Sequence, residues 1–231
     1  MSGNELKRTA ASMEQRETVQ VKVCGLTRVE EAVACAEAGA AAVGCVFYAR
    51  SLRCVSAATA RAIRRALPPQ IACVGVFVDE PFTSIMAMAD SAGFRAVQLH
   101  GSEPPEVVQR LRREGLFVIK ALFADRAPGI GTGSQYWASA FLVECGQGAL
   151  PGGNAHAWEW GRAAALGQRY PLILAGGLTP ENAAQAVRAA LPDAVDVSSG
   201  VEASPGRKDI CKVEKFIAAV ATASARRRIF A

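Results

Sequence analysis

The chain has 231 residues and a net charge of +5, and the run Arg226–Arg228 alone supplies three of the excess positive charges. Hydrophobic residues make up 51% of the chain and charged residues 20%, which excludes a disordered chain. The part of the chain outside this arginine run is nearly neutral, which argues against a protein that coats nucleic acid. No run of 18 apolar residues is present, so we expect no membrane span, and the N-terminus lacks the apolar core of a secretory signal.

Residues 1–18 are polar and aperiodic, and we predict a flexible N-terminal extension there, with regular structure starting at Val19. From that point, eight short apolar runs begin about 25 residues apart, which is the length of one βα unit. They predict strands at 19–24, 42–47, 71–78, 95–99, 116–122, 140–144, 171–175 and 194–198. The Ala-, Arg- and Glu-rich stretches between them predict helices, among others at 28–38, 57–66, 104–113, 180–190 and 209–222.

Eight βα units fit either a closed (β/α)8 barrel or a doubly wound open sheet. Several strands carry polar residues at alternate positions, such as Gln98 and His100 around the end of the fourth strand. Strands covered on both faces of an open sheet prefer continuous apolar runs, whereas a barrel tolerates inward polar groups at the end that holds the active site. We therefore predict an α/β fold, a single (β/α)8 TIM barrel over 19–222 with no internal domain boundary.

Two segments depart from the regular pattern. Residues 123–138 are rich in glycine, so the fifth helix is predicted to be shortened or irregular. The basic segment 223–231 is predicted to be a solvated C-terminal tail. The barrel therefore accounts for the whole chain apart from two tails.

The cysteine and histidine content bears on redox and metal chemistry. The seven cysteines are an odd number, none lies in a Cys-x-x-Cys pair, and the chain is too long to need a disulfide framework. We expect free thiols in a reducing cytoplasm. With only His100 and His156 as histidines, we predict no metal site.

Cys24 and Glu144 are the candidate catalytic residues, because function in a barrel lies where strands end and βα loops begin. Cys24 ends the first strand; its thiolate could act as a base, and the alternative is a small packed side chain. Glu144 ends the sixth strand with the inward parity of Leu142. A desolvated carboxyl there would keep its proton and serve as an acid, and the alternative is a glutamate solvated in the loop.

Lys22 and Asp196 are predicted to pair inside the barrel. They lie on the first and last strands, which become neighbours when a barrel closes. Both share the inward parity of Cys24 and Ser198. Because a buried charge must be paired, we expect this ion pair beneath the active site.

Glycine-containing turns after the last two strands predict a phosphate site. Gly176-Gly177 follows the seventh strand and Ser199-Gly200 follows the eighth, and these two loops form the usual phosphate site of the fold. An ordinary tight turn is the alternative. Arg53, in the basic loop after the second strand, could bind a carboxylate with its guanidinium fork or be solvated.

Six segments, in order along 19–222, resemble the phosphoribosylanthranilate isomerases of tryptophan biosynthesis. They are KVCGLTR at 22–28, AVGCVFYARSLRCVS at 42–56, VGVFVDE at 74–80, VQLHGSE at 97–103, LAGGLTPEN at 174–182 and VDVSSGVEASPGRKD at 195–209. The resemblance implies a single (β/α)8 barrel, in agreement with the strand count. It also implies an Amadori rearrangement, which converts N-(5-phosphoribosyl)anthranilate to 1-(2-carboxyphenylamino)-1-deoxyribulose 5-phosphate.

This reaction needs an acid to open the furanose ring and a base to remove a carbon-bound proton, but no cofactor and no metal. By resemblance Cys24 is the base and Arg53 faces the anthranilate carboxylate. His100 is expected in the substrate-binding set and is the competing proton donor. The phosphoribosyl substrate is the implied small-molecule partner, and a monomer and a homodimer both remain open. The phosphate would be held by Gly176, Gly177, Ser199 and Gly200.

Two features depart from the family's pattern. The family usually has aspartate where this chain has Glu144, which is one methylene longer. The following loop, PGGNAHAWEW at 151–160, keeps a glycine pair but lacks the family's Thr-Gly-Lys. These departures leave two alternatives: a related sugar-phosphate isomerase with a different aglycone preference, and a barrel that binds phosphorylated ligands without turnover.

Overall fold

The computed structural model describes residues 17–147 and 157–230. The extension predicted at 1–18 lies outside the described residues except for Glu17 and Thr18, and so do His156 and the greater part of the loop that follows the sixth strand. The barrel strands are β1 (Gln20–Cys24), β2 (Ala42–Val46), β3 (Ala72–Phe77), β4 (Ala96–Leu99), β5 (Phe117–Phe123), β6 (Ala140–Glu144), β7 (Leu172–Leu174) and β8 (Ala194–Val197).

The eight strands pair in chain order and close into a barrel. All pairs are parallel, and β1 closes the barrel by pairing with both β2 and β8. Lys22 lies opposite Ala42 on one side and opposite Asp196 on the other. Since alternate side chains of a strand point to opposite faces, this register places the even-numbered polar residues of β1 and β8 inside. The predicted (β/α)8 barrel is confirmed.

Helices surround the barrel, except in the fifth unit. Residues Ile130–Gln135 form a 3-10 helix there, which confirms the prediction of a shortened or irregular fifth helix. Gly133 packs so closely that a Cβ atom would lie 2.8 Å from Leu166 Cδ1. The α-helices are α1 (Val29–Glu37), α2 (Ala57–Ala66), α3 (Phe82–Ala92), α4 (Pro105–Arg113), α5 (Ala164–Arg169), α6 (Ala183–Ala190) and α7 (Ile210–Val220), and a short hairpin of β9 (Glu202–Ser204) and β10 (Arg207–Lys208) follows β8.

Two apolar clusters stabilise the fold. One lies between the strands and the helices, and the other fills the barrel with side chains such as Val74, Ile119 and Leu142. Each large aliphatic side chain buried in this way contributes about 1.5–3 kcal/mol relative to exposure. Over 17–147 and 157–230, none of the helices has the length and apolar character needed to cross a membrane.

The segment after α7 closes the base of the barrel, so the prediction of a solvated tail was wrong. Ile229 and Phe230 are 7% and 3% exposed and belong to the cluster inside the barrel. Gln20 holds their backbone: its Oε1 accepts from the N–H groups of Ile229 and Phe230 at 2.7 and 2.9 Å, and its Nε2 donates to the Phe230 carbonyl at 2.6 Å. Ile229 and Phe230 are therefore part of the core.

Two of the arginines that suggested solvation, Arg226 and Arg227, are anchored by one buried carboxylate. Asp193 Oδ1 accepts from the backbone N–H groups of Arg226 and Arg227 at 3.1 and 3.0 Å, and Asp193 Oδ2 lies 3.2 Å from Arg227 Nη1.

The space that Ile229 and Phe230 fill exists because several strands begin with small residues. These are Ala42, Ala72, Ala96, Ala140 and Ala194.

Replacing Phe230 by alanine is expected to lower the free energy of unfolding by about 3 kcal/mol, because it removes a buried ring and leaves a void at the base. Urea unfolding followed by circular dichroism measures the change. Leu52→Ala is the control, since Leu52 is apolar but 73% exposed. Equal stability of the two variants would show that the chain end does not hold the barrel together.

Candidate active site

A pocket opens at the C-terminal end of the barrel strands. The alternation of side chains along the strands predicted inward-pointing polar groups at this end. Its wall combines apolar residues of β2 and β3 with polar residues of β1, β4, β6 and β8. Five residues singled out from the sequence meet there, which are Cys24, Arg53, His100, Glu144 and Asp196. The predicted phosphate residues are not part of this lining; they lie in the turns after β7 and β8.

Cys24 ends β1 and is 8% exposed in this pocket. Its thiol lies against Gly44 of β2, where a Cβ atom would come within 2.7 Å of Cys24 Sγ and 3.2 Å of Lys22 Nζ. Gly44 thus leaves room for a thiol and an ammonium group side by side. Burial raises the pKa of the Cys24 thiol above its ordinary value, although the charges of Lys22 and Lys208 act in the opposite direction. The surroundings as a whole therefore favour the protonated thiol.

Lys22 lies beneath Cys24 and is fully buried. Its Nζ lies 2.9 Å from Asp196 Oδ1, the pairing expected from the shared inward parity of the two residues. Burial alone would lower the pKa of Lys22, but the carboxylate of Asp196 opposes burial, and this pKa lies above its ordinary value. The ammonium group of Lys22, paired with Asp196, therefore lies next to the thiol.

We expect Lys22→Met and Asp196→Asn each to cost about 3–5 kcal/mol of folding free energy, because either change leaves a buried charge without its partner. The double variant should cost less than the sum of the two, since it removes both charges together. Denaturant unfolding of the four proteins measures this coupling. Strictly additive costs would contradict a direct pairing.

Glu144 and His100 contact each other inside the pocket and are 5% and 6% exposed. His100 Nε2 lies 3.3 Å from Glu144 Oε1, although the two are not aligned as a hydrogen bond. On the other side of the ring, Gln98 Nε2 lies 2.8 Å from His100 Nδ1. Phe123 meets the imidazole edge to face, with centroids 5.7 Å apart. The carboxyl group of Glu144 is thus buried beside a potential donor.

The turn after β7 packs directly behind Glu144. A Cβ atom at Gly176 would lie 3.2 Å from Glu144 Cβ and 3.0 Å from Trp158 Nε1. The indole N–H groups of Trp158 and Trp160 donate to the carbonyls of Ala175 and Gly176 at 2.9 and 3.2 Å. Gly176 therefore has a steric reason to be glycine that is independent of any phosphate.

The second turn of the predicted phosphate site lies against the first. Gly200 packs on the backbone carbonyl of Leu178 so closely that no Cβ atom fits. Gly177 has a φ of 68°, a left-handed conformation that favours glycine. Residues Ser199–Val201 form a 3-10 turn. The turns after β7 and β8 are thus brought together, as a shared phosphate site requires.

Arg53 lines the pocket, but its guanidinium group is engaged by the protein itself. Its Nε and Nη2 donate to the two carboxylate oxygens of Glu202 at 2.8 and 2.7 Å. Lys208 Nζ donates to Glu202 Oε1 at 2.9 Å and to the Ser198 carbonyl at 3.1 Å. Burial would raise the pKa of Glu202, but Arg53 and Lys208 together lower it below its ordinary value. The ionised carboxylate fixes Arg53 in place.

The thiols and potential metal ligands form no further centre in the part of the chain that the structure describes. All seven cysteines are free, and Cys45 and Cys73 lie with their sulfur atoms 4.0 Å apart on neighbouring strands. No group of three or more His, Cys, Asp or Glu side chains within 17–147 and 157–230 could hold a metal ion.

Comparison with known protein families shows to which family the chain belongs. A profile of the family described as N-(5'-phosphoribosyl)anthranilate (PRA) isomerase matches residues 21–219, a range that includes Cys24, Glu144 and the turns after β7 and β8. The chain belongs to the PRA isomerase family. The residues that close the base of the barrel, Ile229 and Phe230, lie beyond the matched range.

Individual PRA isomerases are similar over nearly the same range. The enzyme from Desulfatibacillum aliphaticivorans is 52% identical over 199 residues, which cover 86% of this chain and 91% of the relative. The crystal structure of the Thermotoga maritima enzyme has a TM-score of 0.81 at 39% identity and covers 87% of this chain and 98% of its own. A PRA isomerase solved with reduced 1-(o-carboxyphenylamino)-1-deoxyribulose 5-phosphate has a TM-score of 0.78 at 38% identity, with the same coverage of both chains.

Sequence reasoning missed three residues that contact the predicted site residues or support them: Gln98, Glu202 and Lys208. Glu202 and Lys208 lie in the segment 195–209 that carries the resemblance, but Arg53 is 149 positions away from Glu202 in the chain. Only the closed barrel brings them together. Gln98 had the right inward parity, yet its contact with His100 depends on side-chain geometry that the alternation does not specify. Of the unusual loop 151–160, only Ala157–Trp160 are described.

Proposed function

We propose that this pocket catalyses the Amadori rearrangement of N-(5-phosphoribosyl)anthranilate to 1-(2-carboxyphenylamino)-1-deoxyribulose 5-phosphate, a step of tryptophan biosynthesis. The observation that carries the proposal is that Cys24 and Glu144, one potential base and one potential acid, line the same pocket. Both are largely buried, so each makes little contact with bulk water. A family member that rearranges a phosphorylated aminoribose needs such a pair.

Glu144 is the general acid in this proposal. It gives its proton to the furanose ring oxygen, the bond from that oxygen to the anomeric carbon breaks, and the anthranilate nitrogen becomes the nitrogen of a protonated Schiff base. The ring must open before a proton on the adjacent carbon becomes acidic. A buried carboxyl group suits this role because desolvation favours its neutral, proton-carrying form.

Cys24 is the general base. Its thiolate takes the proton from the carbon next to the Schiff base, which leaves an enolamine that tautomerises to the ketone of the product. The thiol must first lose its own proton, and the neighbouring Lys22 ammonium favours the thiolate form. The reaction transfers protons within one molecule, so none of its steps requires a redox cofactor.

The two ends of the substrate are bound by different parts of the site. We assign the phosphate to the turns after β7 and β8, with Gly176, Gly177, Ser199 and Gly200. Arg53 faces the carboxylate of the anthranilate group, and Glu202, which accepts from its Nε and Nη2, limits the movement of the guanidinium. His100 contacts the substrate near Glu144. A small anionic molecule is therefore the partner, and seven free thiols fit a reducing cytoplasm.

Gly200→Ala should weaken phosphate binding, because the added methyl group pushes the turn after β8 away from Leu178. We expect KM to rise about tenfold, which corresponds to about 1.4 kcal/mol of binding, while kcat changes less. Inhibition by inorganic phosphate should weaken in parallel. Gly131→Ala is the control, since a Cβ atom there meets nothing within 4 Å. Equal inhibition of the two variants would place the phosphate elsewhere.

Two substrates separate the proposal from its alternatives. Turnover of N-(5-phosphoribosyl)anthranilate is compared with turnover of the ribotide that carries an aminoimidazole carboxamide instead. We expect activity on the first and at least a 100-fold preference for it. A preference for the second would indicate a related isomerase, whereas binding of the reduced product analogue without turnover of either substrate would indicate a barrel that only binds.

A further inference from the structure

The side chain of Gln98 makes a contact that the mechanism so far leaves unexplained. Gln98 and His100 are two residues apart around the end of β4, so both point into the barrel. Gln98 is 1% exposed, and its Nε2 lies 2.8 Å from His100 Nδ1. Such a short contact between two buried groups constrains which atoms carry protons.

The contact sets the tautomer of His100. In this orientation of the amide, Gln98 Nε2 faces Nδ1, and because an amide nitrogen only donates, Nδ1 accepts and carries no proton. A doubly protonated ring would place two donors against each other. The single proton of the neutral ring then lies on Nε2, the nitrogen that is 3.3 Å from Glu144 Oε1. Gln98 thus turns the Nε2–H group towards the acid.

We propose that Gln98 is a positioning residue: it holds His100 in the Nε2–H tautomer, so that this donor stabilises the carboxylate of Glu144 as the acid releases its proton. The inference rests on the proposed function. The transferred proton leaves Glu144 Oε2 for the ring oxygen of the substrate, and His100 keeps its own proton throughout. Oε1 faces His100 Nε2 throughout and accepts from it as the carboxylate becomes charged.

The resting geometry favours stabilisation of the transition state over the ground state. The Nε2 to Oε1 separation is 3.3 Å and is not aligned as a hydrogen bond, and catalytic hydrogen bonds often tighten only in the transition-state complex. A hydrogen bond to an ionised carboxylate is shorter and roughly twice as strong as one to a neutral group. The interaction therefore strengthens as negative charge develops on Glu144, which is when it accelerates the reaction.

Long-range proton–nitrogen NMR of the uniformly ¹⁵N-labelled protein tests the tautomer directly. The chain has two histidines, His100 and His156, so His156→Asn leaves one set of ring signals to assign. We expect His100 to show a protonated Nε2 and an unprotonated Nδ1. A proton on Nδ1 in the unliganded protein would overturn the inference, whether or not the protein turns over phosphoribosylanthranilate.

Two substitutions at Gln98 separate positioning from packing. Gln98→Glu keeps the shape but accepts from Nδ1–H, so it should move the proton to Nδ1. Gln98→Met keeps the volume but makes no hydrogen bond, so it should leave a mixture of tautomers. We expect kcat to fall about tenfold in both, with KM changed less than twofold. Full activity with a shifted tautomer would refute the positioning role.

A double-variant comparison links Gln98 to Glu144. In a Glu144→Gln background there is no acid to stabilise, so Gln98→Met should cause little further loss of kcat. The same tenfold loss in both backgrounds would show that Gln98 acts independently of the acid and would overturn the inference. Failure of the proposed function itself would look different, because the wild-type protein would then lack turnover while the NMR result still stood.

Discussion

Replacing Cys24 by alanine is expected to lower kcat by at least about 100-fold while the barrel stays folded. A general base contributes typically 10²–10⁴-fold to a rate, and Cys24 is the thiol that ends β1 inside the pocket. The methyl group of alanine fits the space against Gly44, so stability should change little. Steady-state kinetics and a thermal unfolding curve measure the two properties on the same sample.

Cys35→Ala is the matched control for this variant. Cys35 is a fully buried free thiol on α1, and burial raises its pKa to about 11. Since it lies outside the pocket, its removal should leave kcat within about twofold of the wild-type value. Near-wild-type turnover of Cys24→Ala would show that another group removes the carbon-bound proton.

The wild-type protein should also show the pH dependence of a thiol base. Burial holds the pKa of Cys24 above its ordinary value of 9.0, so the active thiolate is the minor form at neutral pH and becomes more abundant as pH rises. Because kcat/KM also needs the protonated form of Glu144, the titration of Cys24 is read from its alkylation by iodoacetamide, whose rate should increase about tenfold per pH unit up to at least pH 9.0. A rate of Cys24 alkylation that is flat from neutral pH to pH 9.0 would contradict the raised pKa of this thiol.

Glu144→Gln should reduce kcat by about 10²–10⁴-fold, because the amide keeps the shape of the side chain but has no acidic proton to donate. Binding of the reduced product analogue should be nearly unchanged. Glu144→Asp restores the residue that is usual in the family, but here it withdraws the carboxyl group by one methylene from His100. A misplacement of about 1 Å can cost up to 100-fold.

The expected order of activity is therefore Glu, then Asp, then Gln at position 144. Isothermal titration with the product analogue, alongside kcat for each protein, separates loss of chemistry from loss of binding. If the glutamine variant is as active as the wild-type protein, the acid lies elsewhere. His100, which is 3.3 Å from Glu144, would then be the candidate.

The barrel could be predicted from the sequence because its signals are periodic and local. Apolar runs about 25 residues apart gave the strands, and alternation within them placed Lys22, Glu144 and Asp196 inside. The glycine-rich stretch 123–138 gave the irregular fifth unit for a similarly local reason. Each of these features depends on a few neighbouring residues.

The features that were missed depend on contacts between distant parts of the chain. The C-terminal arginines have the composition of a solvated tail, and only the position of Asp193 at the base of the barrel shows why their backbone is held. The pairing of Arg53 with Glu202 likewise needs the loops after β2 and β8 to meet above β1. Neither pairing leaves a periodic trace in the sequence.

The most direct test of the proposed function generates the substrate in the cuvette. Anthranilate and phosphoribosyl pyrophosphate are converted to N-(5-phosphoribosyl)anthranilate by the transferase that joins them, and the fluorescence of that substrate is followed after this protein is added. We predict rapid decay with the wild-type protein and only the spontaneous rate with a Cys24→Ala, Glu144→Gln double variant. Equal decay with the two proteins would contradict the assignment of the reaction to this pocket.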